Sequence, residues 1–328
     1  MNADDRPLIL AVTGPTAAGK TDLAMLLTHH FPIELINMDS AQIYRDMDIG
    51  TAKISAVEQR DYPHHLMDIL SPEQRYSAAQ FVDDVAELVP AINGRGNIPL
   101  VVGGTPLYYK ALTEGLADLP AADDDLRSDL RAVIAERGHQ ALRAELATID
   151  PELAEAVQGN NSQRLIRLVE IARLTGRPPS EIFAEQQGAD HRPPFRFFHI
   201  CFFPKDRAWL HERIARRFDM MLAAGLVDEV KMLRETYRLS ADLPSMRCAG
   251  YRQVWDYLEG AYDNLPAQKN GKPAPTPEAE MRARGIFATR QLAKRQLTWL
   301  RKLPADIVID DADNLPTEAV ISAVREVI

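Results

Sequence analysis

The chain has 328 residues, 46% of them hydrophobic, with a formal net charge of −9 at pH 7. That length can bury a full α/β core and still carry a second module. The composition argues against a membrane-spanning helix, because no apolar stretch approaches the length needed to span a bilayer. It also excludes a disulfide scaffold or a zinc site, because Cys201 and Cys248 stand far apart without ligand spacing. The negative balance argues against indiscriminate nucleic-acid binding, although a phosphate-binding face depends on local clustering and not on the total.

In chain order, the first apolar run is Leu8–Val12, strand-sized and preceded by Asp4, Asp5 and Arg6. It does not read as a secretion signal, so a cytoplasmic enzyme is expected. The run leads into Gly14-Pro15-Thr16-Ala17-Ala18-Gly19-Lys20-Thr21 and then a helix opening at Thr21. This is the phosphate-binding loop pattern, set between a strand and a helix as its mechanism requires. Gly14 and Gly19 let backbone amides turn inward around phosphate oxygens, and Lys20 adds a point charge. Thr21 can ligate Mg²⁺, and the helix N-terminus favours an anion. The motif identifies a polyphosphate but not which one.

Two further strands end in polar clusters. Asp39-Ser40-Ala41-Gln42 follows the strand Glu34–Asn37, and Gly103-Gly104-Thr105 follows the strand Ile98–Val102. Open parallel sheets bind ligands at the carboxyl ends of their strands, so all three elements should surround one cleft. Asp39 can be a turn-capping residue or a magnesium-binding aspartate, and Gly103–Thr105 can be a plain turn. The histidines His29, His30, His64 and His65 read as structural or exposed.

After Leu119-Pro120, residues 123 to about 187 show helical periodicity without a convincing strand. A β-rich run returns at Phe195–Phe203, followed by a long helix from about Lys205 to Leu233. Residues 264–277 form a Pro-rich loop, and Ile307–Ile309 is the last strand. The expected fold is an α/β, P-loop-type doubly wound parallel sheet built from residues 1–122 and 196–328. An all-helical module at 123–195 interrupts it.

No Asn-Lys-x-Asp guanine motif is present, nor an Asp-Glu pair after an apolar strand that would suggest an NTP-hydrolysing motor. Four basic arrangements point instead to a nucleic-acid partner. They are Gln163-Arg164-Leu165-Ile166-Arg167, Arg247-Cys248-Ala249-Gly250-Tyr251-Arg252, the set Arg207, Arg213, Arg216 and Arg217, and Lys294-Arg295-Gln296-Leu297-Thr298-Trp299-Leu300-Arg301. A solvated helix face explains any one of them as well as a phosphate contact does. Their accumulation beside a polyphosphate loop favours RNA.

Taken together, these stretches make the sequence one that closely resembles the bacterial tRNA dimethylallyltransferases. The matching segments are Gly14–Thr21, Asp39–Tyr44, Met47–Lys53, Ile98–Leu112, Gln163–Arg167, Arg247–Gln253 and Ala288–Arg301. Departures are small: Asn160-Asn161 replaces Asn-Asp, and Leu168-Val169-Glu170 replaces Ala-Leu-Glu. The resemblance implies transfer of a dimethylallyl group from dimethylallyl diphosphate to N6 of adenosine 37, beside the anticodon of tRNA. It implies that residues 14–21 hold the diphosphate with Mg²⁺ at Thr21, and that Arg213 helps neutralise it. Asp39 would take the N6 proton and Thr105 would orient the base. Ser40, Ala41, Gln42, Arg127 and the three motif segments at 163–167, 247–252 and 294–301 would contact the anticodon stem-loop. A monomer with no membrane partner is expected. The rivals are an adenylate isopentenyltransferase acting on free nucleotide, a small-molecule kinase, and a non-catalytic RNA-binding protein with a vestigial loop. The helical insert and the basic C-terminal helix disfavour the first, and the intact Lys20-Thr21 and Asp39 disfavour the last.

Overall fold

A computed structural model of the chain describes residues 6–117, 119–157, 161–186, 194–267 and 273–328. Six strands form one parallel sheet: β1 (Leu8–Thr13), β2 (Ile33–Asn37), β3 (His64–His65), β4 (Ile98–Gly103), β5 (Arg196–Phe202) and β6 (Ile307–Ile309). Their order is β3-β2-β4-β1-β5-β6. β1 lies at the centre between β4 and β5, with Thr13 in register with Gly103 and Cys201. The phosphate loop therefore leaves the middle of the sheet at its carboxyl edge. β3 has only two residues, too few to show a period in the sequence.

In the first part of the chain lie α1 (Lys20–Thr28), α2 (Ala56–Asp61), α3 (Ala78–Gly94) and α4 (Pro106–Glu114). α2 and α3 each start at a serine, Ser55 and Ser77, in a reciprocal capping box with Glu58 and Gln80. Alternation along β1 sorts the helices into layers. Ile9 and Ala11 pack with Phe81, Val85 and Val89 of α3 and with Leu112 of α4. Leu10 and Val12 face the other way, toward Leu23 and Leu27 of α1. Both faces of the sheet are thus buried, which is why its strands read as continuous apolar runs.

Residues 114–192 form a separate compact unit. It contains α5 (Asp124–Arg137), α6 (His139–Ile149), α7 (Pro151–Ala156), α8 (Ser162–Thr175) and α9 (Pro179–Gln186), and all regular structure among its described residues is helical. Leu130, Leu142, Leu146, Leu165 and Val169 fill its core. This unit takes in the linker ahead of residue 123 because hydrogen bonds tie that linker to α8. Arg167 donates to the Pro120 carbonyl at 2.8 Å, and the Asp123 N–H donates to Glu170 at 2.8 Å. Asn160 lies outside the described residues.

The chain returns with α10 (Arg207–Ala223), α11 (Leu226–Thr236), α12 (Tyr251–Leu258), α13 (Pro277–Leu300) and α14 (Thr317–Val327). The single helix expected over 205–233 is in fact two. Gly225 adopts φ 100°, a left-handed conformation that stops α10 and caps α11. Val320 and Val324 of α14 join the α1 layer. Helices α10 to α13 build a third core, in which Ile214, Phe218, Val230, Val254 and Leu297 meet Tyr44 and Met47. Glu229 of α11 organises the loop that enters this core. Its carboxylate accepts from the N–H groups of Asp48 (3.0 Å), Ile49 (2.7 Å) and Gly50 (3.1 Å), and from the Tyr251 hydroxyl (2.6 Å). A carboxylate satisfied four times over is held firmly, so the following residues Thr51 and Ala52 have a defined place. Of the Pro-rich loop, residues 268–272 lie outside the described set. No described helix is long and apolar enough to cross a membrane.

Close packing of α13 on α10 yields a test. Gly285 sits against the Phe218 ring, and a Cβ there would overlap it. Helix propensity alone favours alanine by about 1 kcal/mol, whereas overpacking costs about 1–3 kcal/mol. Gly285→Ala should therefore lower unfolding free energy in a denaturant titration; a gain in stability would show that the ring has room to move.

Candidate active site

β1 ends at Thr13, and the chain turns through Gly14–Gly19 into α1. Ala17 has φ 64° and Gly19 φ 97°, left-handed conformations that reverse the backbone tightly within the loop. Beneath the loop, Thr13 and His199 form a buried pair. The His199 Nδ1–H donates to the Pro304 carbonyl at 2.6 Å, leaving Nε2 to accept from the Thr13 hydroxyl at 2.6 Å. Burial lowers the pKa of this imidazole, in keeping with its neutral form. His199 is a support for the loop, not a reacting group.

Three carboxyl-edge segments converge as the sheet topology requires. The Asp39 N–H donates to Asn37 Oδ1 at 3.0 Å, and Asp39 Oδ1 accepts from the Ala41 N–H at 3.0 Å. The Ser40 N–H donates to Thr105 Oγ1 at 3.0 Å. The segment after β2 is thereby stitched to the segment after β4. From α13, Gln296 accepts the Thr16 N–H at 2.9 Å and donates to the Gly104 carbonyl at 2.6 Å. α10 contributes Arg213, whose Nε donates to the Ala17 carbonyl at 2.9 Å, and Arg217, which donates to the Ala52 carbonyl at 3.3 Å.

Two cavities open on this arrangement. One, of about 470 Å³, is lined by Gly19, Lys20, Thr21, Arg213 and Arg216. The other, of about 700 Å³, is lined by Thr105, Phe218, Arg247, Cys248, Leu292 and Trp299. Five residues line both: Thr16, Ala17, Asp39, Thr51 and Arg217. α10 forms the dividing wall. Ile214, Phe218 and Met221 face the larger cavity, and Arg213, Arg216 and Met220 face the smaller one. One helix thus presents a cationic flank to the phosphate loop and an apolar flank to the other chamber. A carboxylate stands where the chambers meet.

The sequence profile of the IPP transferase family matches residues 42–303. The chain is 53% identical over 299 residues to the tRNA dimethylallyltransferase of Aromatoleum aromaticum, covering 90% of this chain and 88% of that one. It is 48% identical to the tRNA dimethylallyltransferase of Burkholderia vietnamiensis, over 100% and 98% of the two chains. The chain belongs to the tRNA dimethylallyltransferase family. Among solved structures, the full-length tRNA isopentenylpyrophosphate transferase of Bacillus halodurans superposes with a TM-score of 0.66, 35% identity, and coverage of 98% and 97%. A eukaryotic dimethylallyltransferase acting on tRNA gives a TM-score of 0.75 at 27% identity, covering 98% of this chain and 78% of its own.

The family motifs do not meet the cleft as unbroken segments. In Arg247–Arg252, the side chains of Arg247, Cys248, Ala249 and Arg252 line the larger cavity, but Gly250 and Tyr251 are buried behind them, Tyr251 against Glu229. In Lys294–Arg301, Arg295 and Trp299 line the cavity and Lys294, Thr298 and Arg301 are exposed. Gln296 also lines the cavity with the small part of its surface that is exposed, whereas Leu297 and Leu300 are buried and cannot form an RNA surface. The reason is helical: positions 293, 296, 297 and 300 share one inward face. In the second unit, Gln163 and Arg164 are exposed, whereas Leu165 and Ile166 belong to the core. Arg127 and Arg167 both pair with the buried carboxylate of Glu170, at 2.8 and 2.7 Å. Burial pushes the Glu170 pKa up, but these arginines and the Asp123 N–H outweigh it and hold the group ionised.

Three contributors do not stand out in the sequence. Gln296 lies inside a motif that reads as an RNA contact, and Arg217 is one of several arginines on a helix. Glu229 carries no sequence signal at all. The thiol of Cys248, deep in the larger cavity, is pushed up to about 12 by burial and by the nearby Asp39, so it stays protonated and is no nucleophile. Cys201 is likewise a buried free thiol.

Lys20 Nζ donates to the Pro15 carbonyl at 2.8 Å. The residue keeps some surface open to the cleft, yet the surrounding protein desolvates the ammonium strongly. Its pKa falls from 10.5 to about 8, through burial first, opposed by Asp39 and assisted by Arg217. A bound anion favours the charged form, so binding must take up protons where the free lysine is partly neutral. Affinity for inorganic pyrophosphate should therefore fall as pH rises through about 8, beyond any fall in a Lys20→Met variant. Calorimetry in buffers of different ionisation enthalpy checks this; identical pH profiles for the two proteins would remove Lys20 from the anion site.

Proposed function

We propose that this protein transfers the dimethylallyl group of dimethylallyl diphosphate to N6 of adenosine 37 in the anticodon loop of tRNA, giving N6-(dimethylallyl)adenosine and diphosphate. The observation that carries the reading is the pair of chambers meeting at Asp39 and Arg217. A substitution between two large substrates needs entry from two sides and one shared point where the bond is exchanged. The names of the relatives, tRNA dimethylallyltransferases and a dimethylallyltransferase acting on tRNA, support the same acceptor and donor.

The diphosphate lies in the smaller chamber, against the loop amides, Lys20, Arg213 and Arg217. These donors gather where negative charge accumulates as the allylic C–O bond breaks. Thr21, at the start of α1, would hold Mg²⁺ together with diphosphate oxygens, and the ion would screen the charge of the leaving group. The donor set fits: magnesium commonly takes few protein ligands beside substrate phosphates, and Thr21 lines the smaller chamber together with Lys20 and Asp39. Adenine, turned out of its stack, enters the larger chamber. Its N6 attacks the allylic carbon, the C–O electron pair leaves with diphosphate, and Asp39 accepts the N6 proton. Thr105, tied to Ser40, orients the base.

RNA is held by the rim of the larger chamber, where Arg247, Arg295 and Trp299 stand. Exposed Gln163 and Arg164 on α8, with Arg127 and Arg167, form the contact surface of the helical unit. Within this reading the enzyme acts as a monomer in the cytoplasm.

Incubation with labelled dimethylallyl diphosphate, Mg²⁺ and either tRNA or AMP tests the reading directly. Label should enter tRNA alone; label in AMP would assign the protein to free-nucleotide chemistry. Asp39→Asn keeps the size of the side chain but removes the proton acceptor. Single-turnover rate should fall by about 10²- to 10⁴-fold with little change in either affinity. Rescue by excess magnesium would instead make Asp39 a metal ligand. Neutralising Lys294 and Arg295 should reduce the logarithmic salt slope of tRNA binding by about 0.7–0.9 for each phosphate no longer neutralised. An unchanged slope would return α13 to a merely solvated face.

A further inference from the structure

We infer that Gln296 is a positioning residue that sets the spacing between the phosphate loop and the proton acceptor. The inference rests on the proposed reaction. Gln296 stands on the buried seam of α13, between Ala293 and Leu297, with 5% of its surface exposed. An amide in such a place is costly unless both of its ends are hydrogen-bonded. Both are. Its oxygen accepts the Thr16 N–H and its nitrogen donates to the Gly104 carbonyl.

The two partners belong to different halves of the site. Thr16 stands at the entry to the loop's turn, and with its N–H committed to Gln296 it serves as a fixed edge of the cradle. Gly104 precedes Thr105, which accepts from the Ser40 N–H beside Asp39. One hydrogen-bonded path therefore runs from the phosphate loop through Gln296 to the segment bearing the carboxylate. Gly104 is part of the device: a Cβ there would lie 2.7 Å from Gln296 Nε2 and 3.6 Å from Lys20 Nζ. A larger residue would push the amide off its partners. The same helix turns Arg295 and Trp299 into the acceptor chamber, so Gln296 is flanked by the side chains proposed to meet RNA while itself bonding only to the protein's loops.

The test uses full-length protein with three variants. Gln296→Met keeps the length but loses both bonds. At saturating substrates its single-turnover rate should drop about 10- to 100-fold, with tRNA affinity within about twofold of wild type. Gly104→Ala should reproduce that pattern without altering Gln296. Gln296→Glu adds a signature that loss of packing cannot imitate. Its protonated form restores both bonds and its ionised form restores one, so its rate relative to wild type should recover as pH is lowered from about 8 to about 6. Affinity for inorganic pyrophosphate, which needs neither tRNA nor turnover, should fall about tenfold in Gln296→Met and Gly104→Ala. Should wild type fail to label tRNA, the proposed reaction fails and pyrophosphate affinity alone decides the role of Gln296. Wild-type pyrophosphate affinity in both variants, or weakened tRNA affinity with a preserved saturating rate, overturns the inference.

Discussion

Positive charge concentrated at the carboxyl edge of a parallel sheet, and partly withdrawn from water, is the constraint on which this site depends. Lys20 and Arg217 both have their pKa values lowered, chiefly by burial, and each is opposed by the charge of Asp39. Lone pairs of the Pro15 and Ala52 carbonyls meet part of their hydrogen-bonding need, but a carbonyl supplies no countercharge. Such a locus is stable enough to fold and is improved by an anion. The central position of β1 puts it there, since the loop leaving the middle strand has neighbours on both sides to supply the remaining groups.

Around that locus the structure commits its buried polar groups to geometry. Glu229 fixes residues 48–50, His199 braces Thr13, and Gln296 spans Thr16 and Gly104. The hydrogen bonds of all three run to the protein itself. Each is buried and satisfied, and each holds a backbone segment that borders one of the two chambers. Reactions that depend on placing two large substrates gain most from this kind of support, because a displacement of about 1 Å can cost about 100-fold in rate.

The helical unit follows the same logic on a smaller scale. Glu170, fully buried, is met by Arg127, Arg167 and the Asp123 N–H. Removing either arginine would leave buried charge less well compensated, so a loss of RNA binding in such a variant needs a stability measurement beside it.

The order of chemistry along the chain was legible in the sequence. The phosphate loop, Asp39 and Gly103–Thr105 each follow an apolar strand, and a parallel sheet places strand ends together whatever the details of packing. The helical character of the described residues between 123 and 186 was equally plain from periodicity. Which side of a motif faces the cleft was not. Leu165, Tyr251 and Leu297 lie inside segments that read as RNA contacts, yet they point into cores, since a helix turns adjacent residues about 100° apart and only a packed neighbour decides which face is outward. What Gly225, Glu229 and Gln296 do in the fold was invisible for a related reason. A helix break depends on one residue's φ, and the worth of a buried carboxylate or amide depends on partners more than a hundred residues away. Local pattern determined what chemistry this protein carries; tertiary contact alone decided which side chains face the two chambers and which lie buried behind them.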